Sequence, residues 1–162
     1  MSGLLWLSGL VILLDQLSKF WIMATFEEYE VLVIWPVFNL TLVYNTGAAF
    51  SFLSEAGGWQ RWFFITLSSG VSVALIVWLW RLDKADRWLA LALSLVLAGA
   101  VGNLIDRVRF GHVVDFVDMG IGDTRWYAWN ISDAAVFIGI VVLFVAALLG
   151  DRAIPGRRNG PN

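Results

Sequence analysis

The sequence predicts an all-α membrane protein with a small β part: four transmembrane helices, both termini cytoplasmic, and a small sheet at the outer membrane surface. Three observations predict it. Of 162 residues, 59% are hydrophobic and only 15% are charged; a soluble domain averages about 45–50% apolar and about 25% charged. That excess cannot be hidden inside one small globule. Four apolar segments approach the roughly 20 residues needed to cross the hydrocarbon. One connecting segment alternates apolar and polar residues with a period of two, which marks a strand with unlike faces.

The four spans lie near Leu4–Ala24, Arg61–Trp80, Arg87–Ile105 and Ile131–Gly150. Each reads as helix, because in lipid the backbone must satisfy its own donors and acceptors. The first lacks a basic leader and an Ala-x-Ala cleavage site and carries Asp15, Gln16 and Lys19, so it reads as a retained helix. Asp15 and Lys19 are four residues apart and share a face. Asp15 lies about 9 Å below Trp21 at the helical rise per residue. Lys19 is close enough to the helix end to snorkel. The plain reading of this pair is an ion pair that fixes helix packing.

The link from Thr25 to Gln60 is not an ordinary polar loop. Phe38, Leu40, Leu42 and Tyr44 alternate with Asn39, Thr41, Val43 and Asn45, giving a strand over Val37–Asn45 that starts beyond Pro36. Val31–Ile34 and Phe50–Leu53 are its expected partners. Asn45-Thr46-Gly47-Ala48-Ala49-Phe50 reads as a turn followed by small residues, where a backbone can approach a ligand closely; Asn45 alone could be a turn residue. The second and third spans are joined by the short polar link Arg81–Asp86 and are neighbours. Residues 1–150 therefore form one four-helix domain, with an extracytoplasmic β region at about 27–54 and an outer loop at about 106–130. Residues 151–162 form a cytoplasmic tail.

Basic residues set the orientation. Arg81, Lys84 and Arg87 at one hinge and Arg152, Arg157 and Arg158 in the tail fall on one side, which the positive-inside rule makes cytoplasmic. Trp21, Trp59, Trp62, Trp126 and Trp129 then mark outer helix ends, and Trp6, Trp78, Trp80 and Trp88 inner ones.

Composition also excludes chemistries. The absence of cysteine removes disulfides and thiolate nucleophiles, and the single His112 removes a two-histidine zinc helix. A net charge of −2 offers no basic footprint for nucleic acid. His112 itself reads as a loop or interface side chain.

Two polar knots remain. The first runs from Gly102 through Asn103, Asp106, Arg107 and His112 to Asp115; the second is Trp129-Asn130-Ile131-Ser132-Asp133. Asp133 could simply stabilise a helix start, where an acid suits the dipole and Asn130 or Ser132 can cap. Asp115 sits in a short β-like stretch, His112–Phe116, and could be an exposed loop acid. Carboxylates at a bilayer edge are costly, however, and two at one interface suit shared chemistry. Two carboxyls in a small, partly dry site do not both ionise. The ionised one can draw a proton from water, while the protonated one polarises a carbonyl and then helps the amine leave. That is peptide hydrolysis by Asp115 and Asp133. Gly99 and Gly102 thin the third helix for close approach. Asn103 and Arg107 share a face, and Arg107 could pair with Asp106, Asp115 or a lipid phosphate. Arg109, Asp118, Asp123 and Arg125 read as solvated loop charges. The same acids could instead relay protons in a small proton-coupled transporter, or merely glue helices in an assembly factor. Four helices make a narrow pathway, and clustering of the acids at one end favours the peptidase.

These blocks resemble the signal peptidase II (lipoprotein signal peptidase) family. Asp15-Gln16-Leu17-Ser18-Lys19 is similar to its first motif, Asn45–Phe50 to its second, Gly99–Arg107 with Gly111–Phe116 to its central block, and Asn130–Ala134 to its last. Ser132 and Trp129 stand where the family usually has Ala and Phe. The resemblance implies an aspartyl endopeptidase of the bacterial inner membrane with its site near the outer face. It implies cleavage of lipid-modified prolipoproteins before a diacylglyceryl-cysteine, and inhibition by globomycin. It implies no metal or cofactor, and we expect a monomer with no nucleic-acid partner. It makes Asp115 and Asp133 catalytic, with Asn45, Gly99, Asn103, Arg107, Asn130, Asp15 and Lys19 in support. It also implies that the sheet cradles the substrate.

Overall fold

A computed structural model describes residues 4–47, 57–83, 86–122 and 124–149. Its helices are α1 (Leu5–Thr25), α2 (Trp59–Arg81), α3 (Arg87–Arg109) and α4 (Ile131–Leu149). All four are long and apolar enough to cross a membrane. Their outward surfaces are greasy: Leu13, Phe20, Val73, Phe137 and Phe144 are all exposed. Such faces are stable against lipid and not against water.

Helix α3 packs against each of the other three helices. Its composition permits this. Ala90, Ala92, Ala98, Gly99 and Gly102 are buried along it. A Cβ on Gly99 would strike the Ser132 main chain and Val136; one on Gly102 would strike the Ser132 side chain. Small residues let backbones approach, which is the main source of helix association in lipid. Ser8 of α1 adds a hydrogen bond to the Ser94 carbonyl (2.8 Å).

The sheet contains β1 (Val31–Trp35), β2 (Phe38–Asn45), β3 (Val113–Ile121) and β4 (Thr124–Arg125), antiparallel in that order. The expected strand at 37–45 and its partner at 31–34 are present. The other neighbour of β2 is β3, drawn from the segment expected to be the outer loop. Phe50–Leu53 and the tail at 151–162, together with Lys84 and Asp123, lie outside the described residues. Helix α3 also continues one turn beyond its expected end, to Arg109. Gly111, at φ 88°, then reverses the chain into β3. Arg61 secures that corner by donating to the main-chain oxygens of Arg107 and Val108 (both 3.0 Å). A cation is favoured there by the helix C-terminus.

Strand β3 is buried from Val113 to Val117 because it lies between β2 and the helices. Ile22 of α1 and Phe26 just beyond it pack with Leu42, Val114, Phe116 and Val117 into one core. This core fixes the sheet to one end of the helical bundle.

Candidate active site

Asp115 sits in the middle of β3 and is 2% exposed. Its two oxygens accept from the side-chain amides of Asn130 (2.6 Å) and Asn45 (3.0 Å). Val43 is its cross-strand partner, and Asn45, two residues further along β2, shares its face. Asn45 also accepts from the Gly47 N–H (2.9 Å), so its turn role and its contact with Asp115 coexist.

Asp133 lies in the first turn of α4. The Asn130 side chain accepts from the Asp133 N–H (3.0 Å), and the Asp133 carboxylate accepts from the Asn130 N–H (3.2 Å). This reciprocal arrangement is a capping box made with Asn and Asp. The second Asp133 oxygen accepts from Asn103 of α3 (2.8 Å). Asn130 therefore touches both aspartates: its amide serves Asp115 and its backbone serves Asp133. Its amide also reaches Asn103 and the Val114 carbonyl (both 3.3 Å).

Beneath the pair lies a buried ionic cluster. The Lys19 ammonium donates to Asp15 (2.8 Å), Asp106 (2.7 Å) and Asn103 (3.1 Å). Those three acceptors use all three ammonium protons. Lys19 is only 1% exposed, so the expectation that it snorkels is wrong: the two carboxylates hold it inside the bundle. Asp15 reaches further than its partner Lys19 and accepts from the Ser132 N–H at the start of α4 (2.8 Å). Gln16, which sequence reasoning missed, donates to Asp106 (2.8 Å), Asp15 (3.2 Å) and the Gly102 carbonyl (3.3 Å). Its only signal was its place between Asp15 and the apolar helix face.

Arg107 is buried but makes no ion pair with Asp106 or Asp115 among the described residues. Asp106 is engaged by Lys19, Gln16 and the Val114 N–H instead. Arg107 donates to the Gly47 carbonyl (2.8 Å) and lies over the Phe64 ring at 4.9 Å. It thus ties the turn after β2 to α3 and α2. Asp118 and Arg125, expected as solvated loop charges, are paired at 2.6 Å across β3 and β4. Asn39 donates to the same Asp118 carboxylate (2.9 Å). They pair because the supposed loop is sheet, which sets them side by side. Arg109 is exposed, as expected. His112 packs its ring against Tyr44 at 4.3 Å, and partial burial lowers its pKa below the usual imidazole value.

Burial, and then the nearby charge of Asp133, push the Asp115 carboxyl up to about 7. The amides of Asn45 and Asn130 and the Lys19 charge oppose that rise. A carboxyl poised there can hold or release a proton at neutral pH. Asp133 is less enclosed. It lines a cavity of about 440 Å³ with Trp129, Ala134, Phe137 and Ile138. Phe137 and Ile138 are themselves exposed on the outward face of α4. The site thus joins a deep carboxyl with a titration point near neutrality to a second carboxyl at an apolar opening.

Comparisons with known proteins cover most of the chain. A family model described as signal peptidase (SPase) II matches residues 7–149. The lipoprotein signal peptidase of Pseudomonas fluorescens strain Pf0-1 is 50% identical over 142 residues, covering 86% of this chain and 83% of that protein. That of Shewanella sp. strain MR-4 is 53% identical over 139 residues, covering 85% and 81%. A solved structure described as a bacterial membrane enzyme superposes with a TM-score of 0.78 at 32% identity, covering 95% of this chain and 92% of that one.

Proposed function

This chain belongs to the signal peptidase II family, and from that premise we propose that Asp115 and Asp133 are its catalytic pair. The reaction is removal of the signal peptide from a lipid-modified bacterial prolipoprotein, by hydrolysis of the bond just before the diacylglyceryl-cysteine. The observation that carries the assignment is Asn130, which bonds to Asp115 through its amide and to Asp133 through its backbone. The relatives are named as peptidases, and the transporter reading is set aside.

Charge balance supports a shared proton. Four carboxyls (Asp15, Asp106, Asp115, Asp133) face two cations, Lys19 and Arg107. A proton on the pair removes the costliest repulsion. Asp115, deep and with its carboxyl near 7, carries that proton. Asp133, at the helix start and beside the opening, is the base.

Asp133 takes a proton from water as the water oxygen attacks the carbonyl carbon of the residue before the cysteine. The Asp115 proton is hydrogen-bonded to the carbonyl oxygen, where negative charge develops. Collapse of the tetrahedral intermediate breaks the C–N bond, and the cysteine nitrogen leaves with a proton from the pair. The signal peptide departs as a carboxylate. Asn45, Asn103 and Asn130 hold the carboxyls in register. Arg107 braces the turn at Gly47, and the Lys19 cluster sets the field beneath.

The apolar cavity beside Asp133 supports lipid recognition. Acyl chains and the signal helix can enter sideways between helices, with about 0.8 kcal/mol gained per buried CH₂. Orientation follows from Arg81, Lys84 and Arg87, with Arg152, Arg157 and Arg158: both termini are cytoplasmic, and the site faces the outer side of the inner membrane. The test is cleavage of a lipidated precursor in proteoliposomes by Asp115→Asn and Asp133→Asn. Each variant is expected to insert normally and to lose about 10²–10⁴-fold in rate. Normal turnover by either ends the pair assignment. Equal cleavage of an unlipidated precursor ends the lipid reading.

A further inference from the structure

A second cleft, of about 330 Å³, lies on the sheet side of the aspartates, lined among others by Tyr29, Val31, Thr41, Val43, Arg125 and Trp126. It is at the small end of ligand-sized cavities, which run from about 300 to about 1,000 Å³. Two of its walls lead to the proposed catalytic pair. Along β2, Asn45 and Val43 share a face; Asn45 holds the Asp115 carboxylate, Val43 is opposite Asp115, and both Val43 and Thr41 line the cleft, across a register shift between Leu40 and Val43. Val31 pairs with Thr41 and extends the lining onto β1. Opposite Cα atoms in such a pair are about 5 Å apart, so the cleft begins one cross-strand step from Asp115.

The other wall is the segment leading into α4. Trp126, Tyr127 and Ala128 line this cleft, while Trp129, Asp133 and Ala134 line the apolar cavity. One stretch of chain therefore separates an apolar opening from a mixed polar one, with Asn130 between them. A substrate with a greasy signal segment before the scissile bond and a water-soluble chain after it has the same division.

We infer that this cleft receives the one or two residues that follow the modified cysteine, and so selects among mature N-termini. This rests on the peptidase reading given above. The lining defines the preference. Asp118, which also lines the cleft, closes the Arg125 guanidinium at 2.6 Å, so the described lining presents no unpaired charge. Tyr29 and Trp126 offer aromatic walls, and Thr41 a hydroxyl beside them. Uncharged side chains of limited size fit such a lining; a large one competes with Trp126 for space.

The test uses lipidated precursors that differ only at the second residue after the cysteine, carrying Gly, Leu or Trp. They are cleaved by the unaltered enzyme and by Val31→Trp and Trp126→Ala variants. Both positions are exposed, at 52% and 66%, so the changes leave the core untouched. Val31→Trp narrows the cleft and is expected to raise the Gly-over-Trp ratio of kcat/KM roughly tenfold, the scale of a pocket-size change. Trp126→Ala should lower that ratio. Intact folding is read separately, from thermal midpoints in detergent, which should stay near that of the unaltered enzyme in both variants. Ratios that stay within twofold in both variants overturn the inference. If the unaltered enzyme cleaves none of the three precursors, it is the peptidase reading that has failed.

Discussion

Asp15 of α1 accepts the main-chain N–H of Ser132 at the first turn of α4 (2.8 Å), across 117 residues of sequence, while also holding Lys19 at 2.8 Å. One carboxylate therefore satisfies a helix N-terminus and a buried ammonium together. It fixes the turn that carries Asp133. Asp15→Ala removes both links and strands Lys19 with one carboxylate partner. Breaking a buried pair in this way costs about 3–5 kcal/mol. Asp15→Asn keeps an oxygen for the Ser132 N–H and loses only the charge. The expected order of thermal midpoints in detergent is wild type, then Asn, then Ala, with precursor cleavage following the same order. An unchanged midpoint for the Ala variant contradicts the anchoring role.

The second prediction concerns pH. The Asp115 carboxyl is raised to about 7 by burial and by the charge of Asp133. If the pair works with one proton, kcat must fall as pH rises through about 7, because that proton is lost. Stability has the same sign. A carboxyl whose pKa is higher folded than unfolded binds more protons in the folded state between the two values, so its stabilising contribution is full below the unfolded pKa. That contribution is lost as pH climbs from about 4 to about 7 and is flat above. Asp115→Asn removes this loss. Its thermal midpoint should overtake that of wild type at pH 8, although its cleavage rate is expected to fall. A wild-type midpoint that rises across this pH window contradicts the account.

Much of this site was legible because lipid penalises polar groups so heavily. Asp15, Lys19, Asn103, Asp115, Asn130 and Asp133 stood out against apolar surroundings, and the four helices followed from the length and apolarity of their segments. What was not legible depended on pairing between distant segments. The start of β3 read as a short β-like stretch, His112–Phe116, but its continuation to Ile121 looked like loop, because its partner, β2, lies about seventy residues earlier. Once the far half of β3 is missed, Asp118 and Arg125 must look solvated. The misreading of Lys19 has a similar origin: nothing local reveals that Asp106 arrives from α3 to hold it. Arg107 was given an anionic partner by its charge, and the fold gives it the Gly47 carbonyl and a phenyl ring.

Ser132 offers a sharper test of packing. A Cβ on Gly102 would meet the Ser132 hydroxyl, whereas one on Gly99 would meet the Ser132 carbonyl. A side chain can be trimmed and a backbone cannot. Gly102→Ala and Gly99→Ala should each destabilise by about 1–3 kcal/mol through overpacking. Adding Ser132→Ala should recover part of the loss at Gly102 and none at Gly99. The double-mutant coupling, measured by chemical unfolding in micelles, is expected to be favourable for the first pair and near zero for the second. Equal coupling for both pairs means that the two glycines do not meet Ser132 as described.

Asn130 has two separable tasks. Its side-chain oxygen caps α4 through the Asp133 N–H (3.0 Å), and its amide nitrogen holds Asp115 (2.6 Å). Asn130→Ser keeps a capping oxygen, since Ser and Asn cap about equally well, but removes the amide. Asn130→Asp also keeps the capping oxygen and places a third carboxylate where Asp115 needs a donor. Both variants should retain helix content by circular dichroism. Cleavage should fall about 10²-fold or more in each, because a misheld acid loses its proton-transfer geometry. Their pH profiles should differ. In the Asp variant, added negative charge favours the protonated form of the pair and moves the alkaline limb to higher pH. Loss of the amide from Asp115 moves the Ser variant in the same direction but by less, since that bond favours the ionised form. If the Ser variant retains full activity, Asn130 is only a helix cap, and the link between the two aspartates plays no part in catalysis.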